Sequence, residues 1–156
     1  MSRAFPFASR MGQALDEARA AAARGETPVG AVLVDRATGE IRAAAGNRVR
    51  ERHDPTAHAE ILAIREACAA LGSERLPGHE LWVTLEPCAM CAAAIAGARI
   101  ERVYFGASDP KSGGVEHGAR VFDHPQAHHR PEVYGGLAEA DCAALLRAFF
   151  AARRRD

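Results

Sequence analysis

The sequence has almost no net charge and almost no lysine. Its 156 residues carry 20 basic and 20 acidic side chains, and Lys111 is the one lysine among 19 arginines. Without an excess of charge, no long-range field draws the chain to nucleic acid or to a membrane, so any nucleic-acid site must be a local patch. GC-rich coding explains the preference for arginine better than function does, although arginine favours bidentate phosphate contacts wherever a patch exists.

Long apolar runs are also missing. The N-terminal segment lacks the apolar core of a secretory signal, and no stretch approaches the roughly 18 to 20 apolar residues that span a bilayer. We therefore expect a cytoplasmic protein with no membrane partner. A chain of 156 residues with 48% hydrophobic content can form one continuous core, so we expect a single domain over residues 1–156.

Cysteine is scarce, and its placement is informative. Two of the four cysteines, Cys88 and Cys91, stand three positions apart in "TLEPCAMC". In a reducing cytosol such a pair more often binds metal or takes part in chemistry than forms a disulfide. Cys68 and Cys142 are isolated within amphipathic segments, where we expect them to pack in the core.

The hydrophobic pattern predicts an α/β protein. It indicates a helix that Ser9 caps and Gly25 ends, then a β-hairpin formed by "PVGAVLVD" and "IRAAAGN". A second helix follows in "AHAEILAIREACAALG", with Thr56 as its cap and Gly72 as its end. Its expected buried stripe consists of Ile61, Ile64, Cys68 and Leu71.

The second half continues the alternation of strands and helices. "HELWVTLE" reads as a buried strand, and "PCAMCAAAIAGA" as a helix that begins at Pro87, where proline's fixed φ is tolerated. "RVYFGAS" is the next strand. A turn-rich and histidine-rich segment covers residues 109–130, a short strand lies at 132–134, and an amphipathic helix ends the chain. This order predicts a layered α/β sheet.

The segment "TAHAE" supplies the donors that a cysteine pair lacks. His58 and Glu60 lie at the start of the second helix, and Cys88 and Cys91 at the start of the third, so the two helix starts can converge. Three protein ligands, His58, Cys88 and Cys91, are typical of a catalytic zinc site with an open position, and the sequence has no second CxxC to close the shell. Iron is the main rival metal. Glu60 is placed to carry protons to and from a zinc-activated water, as in hydrolytic deamination.

His58-x-Glu60 followed by Pro87-Cys88-x-x-Cys91 is the signature of zinc-dependent nucleoside deaminases. Over nearly its whole length the chain also resembles bacterial tRNA adenosine deaminases of the TadA type, in "ETPVGAVLV", "HDPTAHAEILAIR", "LWVTLEPCAMCAAAIAGARIERVYFGASDPKSG" and "DCAALLRAFF". The resemblance implies a three-layer α/β/α cytidine deaminase-like fold with a central mixed five-stranded sheet flanked by helices. It also implies one Zn²⁺ per subunit and conversion of the wobble-position adenosine of a tRNA anticodon to inosine, with Glu60 as the proton shuttle.

The same resemblance implies a substrate site and an assembly. Its substrate contacts fall on Asn47, Val29, Gly30, Ala59, Pro87 and Asp109. The expected partners are the tRNA anticodon loop and a second copy of the chain, in a homodimer whose active sites borrow surface from the partner subunit. The departures from close relatives, Glu116-His117 and His128-His129, fall in the histidine-rich segment that could shape the RNA cleft.

Three alternatives stay open at this point. A deaminase of a free base or nucleoside, such as guanine or cytosine, would carry the same signature. A zinc-stapled binding module without turnover is a different class, which the open ligand set and Glu60 disfavour. The terminal arginines, Arg153 to Arg155, with Arg147 before them, are equally well read as an RNA patch or as cations that favour the end of a helix dipole.

Overall fold

A five-stranded mixed sheet organises the computed structural model, which describes residues 8–154. The strands are Gly30–Asp35 (β1), Ile41–Gly46 (β2), His79–Leu85 (β3), Arg102–Ala107 (β4) and Glu132–Tyr134 (β5). They lie in the order β2-β1-β3-β4-β5. Strand β1 pairs antiparallel with β2 and β3, whereas β4 pairs parallel with β3 and β5. The predicted hairpin and the predicted short fifth strand are both confirmed.

Helices cover both faces of this sheet. Within residues 8–154 they are Met11–Ala23 (α1), Ala59–Leu71 (α2), Ala89–Gly97 (α3) and Glu139–Arg153 (α4). Successive strand residues point to opposite faces. Leu33 therefore packs in the cluster under α2 and α3, and Val32 in the cluster under α1 and α4. The predicted three-layer α/β/α arrangement is confirmed.

One edge of the sheet gathers the segments that form the candidate site. Strand β1 begins there and β2 ends there, since Gly30 pairs with Gly46. Strands β3 and β4 also end there, since Leu85 pairs with Ala107. The connections that leave this edge carry residues 47–58, 86–88 and 108–120. Chain segments that are distant in sequence thus meet above the same four strand ends.

Three predicted helix starts are wrong, and two of the corrections concern the site. Helix α1 is capped by Arg10 rather than Ser9, whose hydroxyl oxygen accepts the N–H of Met11 at 3.2 Å. Helix α2 is capped by His58 rather than Thr56, whose hydroxyl instead donates to Asp54 Oδ1 at 2.7 Å. Helix α3 is capped by Cys88, so Pro87 precedes the helix and does not open it. The helix ends are as predicted: Gly25 and Gly72 follow α1 and α2 with φ of +84° and +64°.

The buried stripe of α2 also differs from the prediction. Leu71 is 40% exposed, and Ile64 and Cys68 are only partly buried. Small side chains form the face that meets the sheet, namely Ala59, Ala63 and Ala67, each with 0% exposure. The helix therefore lies close to the strands, because alanine adds little thickness between the two layers. Cys142 is buried against the opposite face, as expected for a core cysteine, whereas Cys68 is only partly buried and packs at the margin of the cluster under α2 and α3.

Within residues 8–154, no helix combines the length and the apolar character that a membrane span needs.

Close packing of α1 on β1 gives a testable prediction at Gly30. A β-carbon at Gly30 would lie 2.0 Å from the Ala14 carbonyl oxygen and 2.6 Å from the Ala18 nitrogen, both of them backbone atoms. Gly30→Ala should therefore lower the free energy of unfolding by about 2 kcal/mol or more. Gly12→Ala is the matched control, because its β-carbon meets nothing within 4 Å and alanine favours a helix by roughly 0.5 to 1 kcal/mol. Equal denaturation curves for the two variants would contradict this account.

Candidate metal centre and active-site cleft

Three potential metal donors meet where α2 and α3 begin. His58 and Cys88 occupy the N-cap positions of the two helices, and Cys91 is the third residue of α3. Their ligand atoms all lie within 4.8 Å of one another. The short connection of residues 86–88 fixes α3 directly on the end of central strand β3, so the sheet determines where the cysteines stand.

The distances between these donors suit a tetrahedral zinc ion. His58 Nδ1 lies 3.6 Å from Cys88 Sγ and 3.5 Å from Cys91 Sγ. Zinc bonds of about 2.3 Å to sulfur and about 2.0 Å to nitrogen, at tetrahedral angles, separate sulfur from nitrogen by about 3.5 Å. The donor types agree as well, since thiolate and imidazole are the ligands that zinc prefers. The residues present therefore fit the metal.

The surroundings of the donors favour a thiolate at Cys88. Hydrogen bonds from the Cys91 thiol and from His58 lower the pKa of Cys88 to about 4, against the opposing effect of burial. The hydrogen bond with Cys88, together with burial and the charge of Glu60, raises the pKa of Cys91. The surroundings thus favour an ionised Cys88 beside a protonated Cys91. The first turn of α3 supplies partial positive charge to both sulfur atoms.

Glu60 is a buried carboxyl group in the wall of the same cleft. It is the second residue of α2 and is only 4% exposed. Burial raises the pKa of Glu60, against the opposing effects of a backbone hydrogen bond and of His58. A carboxyl group held beside three metal donors, with its affinity for a proton increased, is suited to exchange protons with a bound molecule.

Asn47 joins the helix start to the cleft. Its Oδ1 accepts the N–H of Ala59, the first residue of α2, at 2.7 Å. This bond satisfies one of the free N–H groups at the helix start, a task that no side chain within the helix performs. With Oδ1 engaged in this way, the side-chain NH₂ of Asn47 is the group left to donate to a ligand.

A cleft of about 300 Å³ opens onto these groups. The donors His58 and Cys88 line it together with Glu60. Of the six residues predicted to contact substrate, three also line it, namely Val29, Asn47 and Asp109. The other three lie outside its lining: Gly30 in contact with α1, Ala59 as the first residue of α2, and Pro87 in the connection before α3.

The sequence interpretation missed the role of Glu86, which holds one wall of the cleft. Its side chain is fully buried. Oε2 accepts the N–H groups of Val115, Glu116 and His117 at 3.2, 3.0 and 3.1 Å. Oε1 accepts the N–H of Asp109 at 3.1 Å and contacts His117 Nδ1 at 2.7 Å. Burial opposes ionisation, but these hydrogen bonds prevail and keep the pKa of Glu86 below its usual range.

Two glycines let this loop approach Glu86 and α3. A β-carbon at Gly113 would lie 2.3 Å from Glu86 Oε2, and one at Gly114 would lie 2.5 Å from the Ala89 nitrogen. His117 thus contacts the buried carboxylate through both its main-chain N–H and its ring. The loop from Asp109 to His117 is built around a single side chain.

Glu26 performs a similar task on the opposite wall. It is 2% exposed, and its two carboxylate oxygens accept the N–H groups of Arg50 and Glu51 at 2.9 and 3.0 Å. The only signal for these residues in the sequence is a carboxylate near a proline at the border of an apolar run: Glu26 stands two residues before Pro28, and Glu86 directly before Pro87. That signal does not say which N–H groups the carboxylate will meet.

The remaining histidines of the loop region lie apart from the donor cluster. His129 Nε2 contacts the Ile100 carbonyl oxygen at 2.7 Å, and His124 Nδ1 accepts the N–H of Gln126 at 3.3 Å. His128 lines a separate, largely apolar cleft beside α3. Among residues 8–154, His58, Cys88 and Cys91 are the one group whose donors could hold a metal ion.

Comparison with known proteins relates this geometry to a family. Residues 8–107 match the model of the cytidine and deoxycytidylate deaminase zinc-binding region. The chain is 60% identical over 143 residues to the tRNA-specific adenosine deaminase of Agrobacterium fabrum, an alignment that covers 92% of this chain and 93% of that protein.

Two solved structures are similar in both fold and sequence. One comes from biochemical and structural studies of A-to-I editing by tRNA:A34 deaminases at the wobble position of transfer RNA; it superposes with a TM-score of 0.85 at 60% identity and covers 87% of this chain and 97% of its own. The other is a guanine deaminase from Nitrosomonas europaea, with a TM-score of 0.74 at 30% identity, covering 91% of this chain and 83% of its own.

The bonds of Glu86 give a prediction for the loop it holds. Glu86→Gln leaves one oxygen where two accept hydrogen bonds, and it turns an NH₂ group toward buried N–H donors. The free energy of unfolding should fall by roughly 2 kcal/mol, and the amides of residues 115–117 should exchange with solvent faster. Glu116→Gln is the matched control, since the neighbouring side chain is exposed. Unchanged amide protection in Glu86→Gln would show that the carboxylate does not hold the loop.

Proposed function

The chain belongs to the cytidine and deoxycytidylate deaminase zinc-binding family, and on that premise we propose that it is a hydrolytic tRNA adenosine deaminase. Its substrate is the wobble-position adenosine of a tRNA anticodon loop, and its products are inosine and ammonia. The observation that carries the proposal is 60% identity to a tRNA-specific adenosine deaminase over 92% of the chain. The three donors lie within 4.8 Å of one another, and two of them line one cleft with Glu60.

The donor set defines the chemistry. His58, Cys88 and Cys91 would hold the zinc ion, which when bound lowers the pKa of water from about 15.7 to about 7 and so supplies a nucleophile for C6 of adenine. Three protein ligands leave a coordination position for water, as catalytic zinc sites do. The helix starts of α2 and α3 keep the donors in place, so the site is organised by the sheet and the helices rather than by a loop.

Glu60 moves the protons. Its buried carboxylate accepts the proton that the attacking water loses and delivers it to N1 of adenine. A second proton, taken from the oxygen newly bonded to C6, passes through Glu60 to the amino nitrogen; the C–N bond then breaks, ammonia leaves and a carbonyl oxygen stays at C6. Replacing an amino group by a carbonyl oxygen needs both transfers, and a single carboxylate in the cleft wall can perform them in turn.

The cleft lining supports recognition of a nucleoside. We propose that the Asn47 NH₂ addresses the target nucleoside and that Val29 packs against the base. We also propose that Asp109, whose N–H donates to Glu86, lies beside the bound RNA. Gly30, Ala59 and Pro87 then act indirectly, by fixing the strand and helix ends that carry the lining residues.

An anticodon loop suits such a site energetically. The target base must leave its stack, which costs a few kcal/mol in a duplex and least in a single-stranded loop. Sequence-specific proteins usually read RNA at loops for the same reason. A cleft open on one side accepts a nucleotide that remains joined to its chain.

We propose the cytoplasm as the location, because the proposed substrate is tRNA, and a homodimer as the assembly, as the family resemblance implies. Exposed apolar and small residues of α3, including Met90 and Gly97, offer a surface for a second copy. Sedimentation velocity at micromolar protein should show a dimer; a species of 16.6 kDa alone would contradict it.

A second candidate is deamination of a free base. The likeness to a guanine deaminase, with a TM-score of 0.74 at 30% identity, favours it. A zinc-activated water and a proton-carrying carboxylate suit the deamination of a free base as well. The two candidates differ in what the cleft must admit: a small free molecule, or one nucleotide of a folded RNA.

A direct substrate assay separates these candidates. Zinc-loaded protein is incubated with an anticodon stem-loop that carries adenosine at the wobble position, and separately with guanine, cytosine and adenosine. We expect inosine in the stem-loop and little ammonia from the free compounds. Rapid ammonia release from a free base, with the stem-loop unchanged, would overturn the tRNA proposal. A protein that binds zinc and acts on none of them would be a binding module.

The role of Glu60 is tested by Glu60→Gln. The variant keeps the volume and the hydrogen-bonding capacity of the side chain but cannot carry a proton as a carboxylate does. It should retain about one zinc per chain and lose at least about 100-fold in turnover. Glu66→Gln, an exposed position on the same helix, is the control and should be as active as the natural protein. Activity within a few-fold in Glu60→Gln would refute the shuttle.

A further inference from the structure

A second concave surface adjoins the active-site cleft. This groove, of about 390 Å³, is lined by residues of three segments that are distant in sequence: Arg24, Gly25, Glu26, Arg50, Glu51 and Arg153. It shares Glu26 and Arg50 with the cleft. The two concavities are therefore adjacent, and a strand that leaves the cleft on this side would enter the groove.

The two carboxylates of the groove are engaged by groups other than the side chains of its arginines. Both oxygens of Glu26 accept main-chain N–H groups. Glu51 forms an ion pair with Arg48 at 2.6 Å. Because three guanidinium groups line the groove against two carboxylates, the net charge of the lining is positive.

Two of the groove's three arginines are held in place by groups that carry no negative charge. Arg24 donates to the Asn47 carbonyl oxygen at 3.1 Å, and Arg153 donates to the Gly25 carbonyl oxygen and lies 4.3 Å over the Phe149 ring. Within residues 8–154, no carboxylate oxygen lies within 4.0 Å of the guanidinium groups of Arg24, Arg50 or Arg153. In a chain with balanced charges, these three arginines form a local patch, of which only Arg153 could be named from the sequence.

We propose that this groove binds backbone phosphates of the RNA strand next to the nucleotide held in the cleft. Guanidinium groups bind phosphate oxygens in a bidentate manner, and arginine keeps its charge at any physiological pH. The hydrogen bonds of Arg24 and Arg153 to carbonyl oxygens hold these side chains in advance, which lowers the entropy lost on binding. The inference rests on the proposed function. The groove would be the path of the RNA strand beyond the reacting base.

The terminal arginines differ in their contacts, and so in the role that each can have. Arg153 reaches across to Gly25, whereas Arg154 Nε donates back to the Phe150 carbonyl of its own helix at 3.5 Å. The RNA interpretation therefore applies to Arg153 and the helix-end interpretation to Arg154. Arg147 is exposed and lies outside the groove lining, and Arg155 lies outside the described residues.

The test compares two pairs of arginines that carry the same charge. The double variant Arg50→Gln/Arg153→Gln removes two groove cations, and Arg75→Gln/Arg154→Gln removes two exposed cations outside it. Both are made in zinc-loaded Glu60→Gln protein, so that a labelled anticodon stem-loop is bound without turnover. Affinity is measured by fluorescence anisotropy across a series of salt concentrations, with zinc content and thermal unfolding as checks on the fold.

The slope of log affinity against log salt should become shallower by about 1.4 in the groove variant, since each phosphate contact on a single strand contributes about 0.7. The control pair should change the slope by less than half as much. Arg50→Lys/Arg153→Lys should keep a slope close to that of the parent, because the charges remain.

Two outcomes count against the inference in different ways. If the natural protein forms inosine in the stem-loop but the groove and control variants have equal slopes, the groove is not the phosphate site and the proposed function stands. If the natural protein neither binds nor deaminates any stem-loop, the proposed function fails and the groove inference fails with it.

Discussion

The meeting of two helix starts above the end of β3 is the constraint on which the rest of the site depends. Because His58 and Cys88 are the N-cap residues of α2 and α3, their positions follow from how the two helices sit on the sheet. The alanine face of α2 brings that helix close to the strands, and the bond from Asn47 to Ala59 fixes where it begins. The donor spacing of 3.5 to 3.6 Å is thus a consequence of helix placement, and Glu60 is delivered to the same cleft by the first turn of α2.

Around this centre, buried carboxylates organise the walls. Glu26 and Glu86 each accept main-chain N–H groups from a loop that borders the cleft. Each therefore satisfies polar backbone that would otherwise be costly to bury. Glu86 directly follows β3 and so ties one wall to a strand end, whereas Glu26 lies in the connection between α1 and β1 and ties the other wall to that connection. The Arg24, Arg50 and Arg153 groove lies beside the second wall, where Glu26 accepts main-chain N–H groups and forms no ion pair with these arginines.

Much of the fold and the reactive centre could be predicted from the sequence, because their signals are local. Apolar periodicity gave the helices and strands, and a histidine, a glutamate and two cysteines at short spacings gave the metal donors. The starts of α2 and α3 were misplaced, since Thr56 prefers Asp54 as a partner and Cys88 takes the capping position after Pro87. Glu86, Glu26 and the arginine groove were beyond prediction. Each depends on contacts between segments 24 or more residues apart, and no local pattern specifies such contacts.

The central claim is that two cysteines and one histidine hold a single zinc ion and leave one coordination position to solvent or substrate. Zinc-edge X-ray absorption on the purified protein tests this directly, because the scattering shells distinguish sulfur from lighter ligands. The account predicts two sulfur atoms at about 2.3 Å and two nitrogen or oxygen atoms at about 2.0 to 2.1 Å, one of them exchangeable on addition of a competing small ligand. A shell of three or four sulfur atoms, or four ligands of which none exchanges, would contradict it.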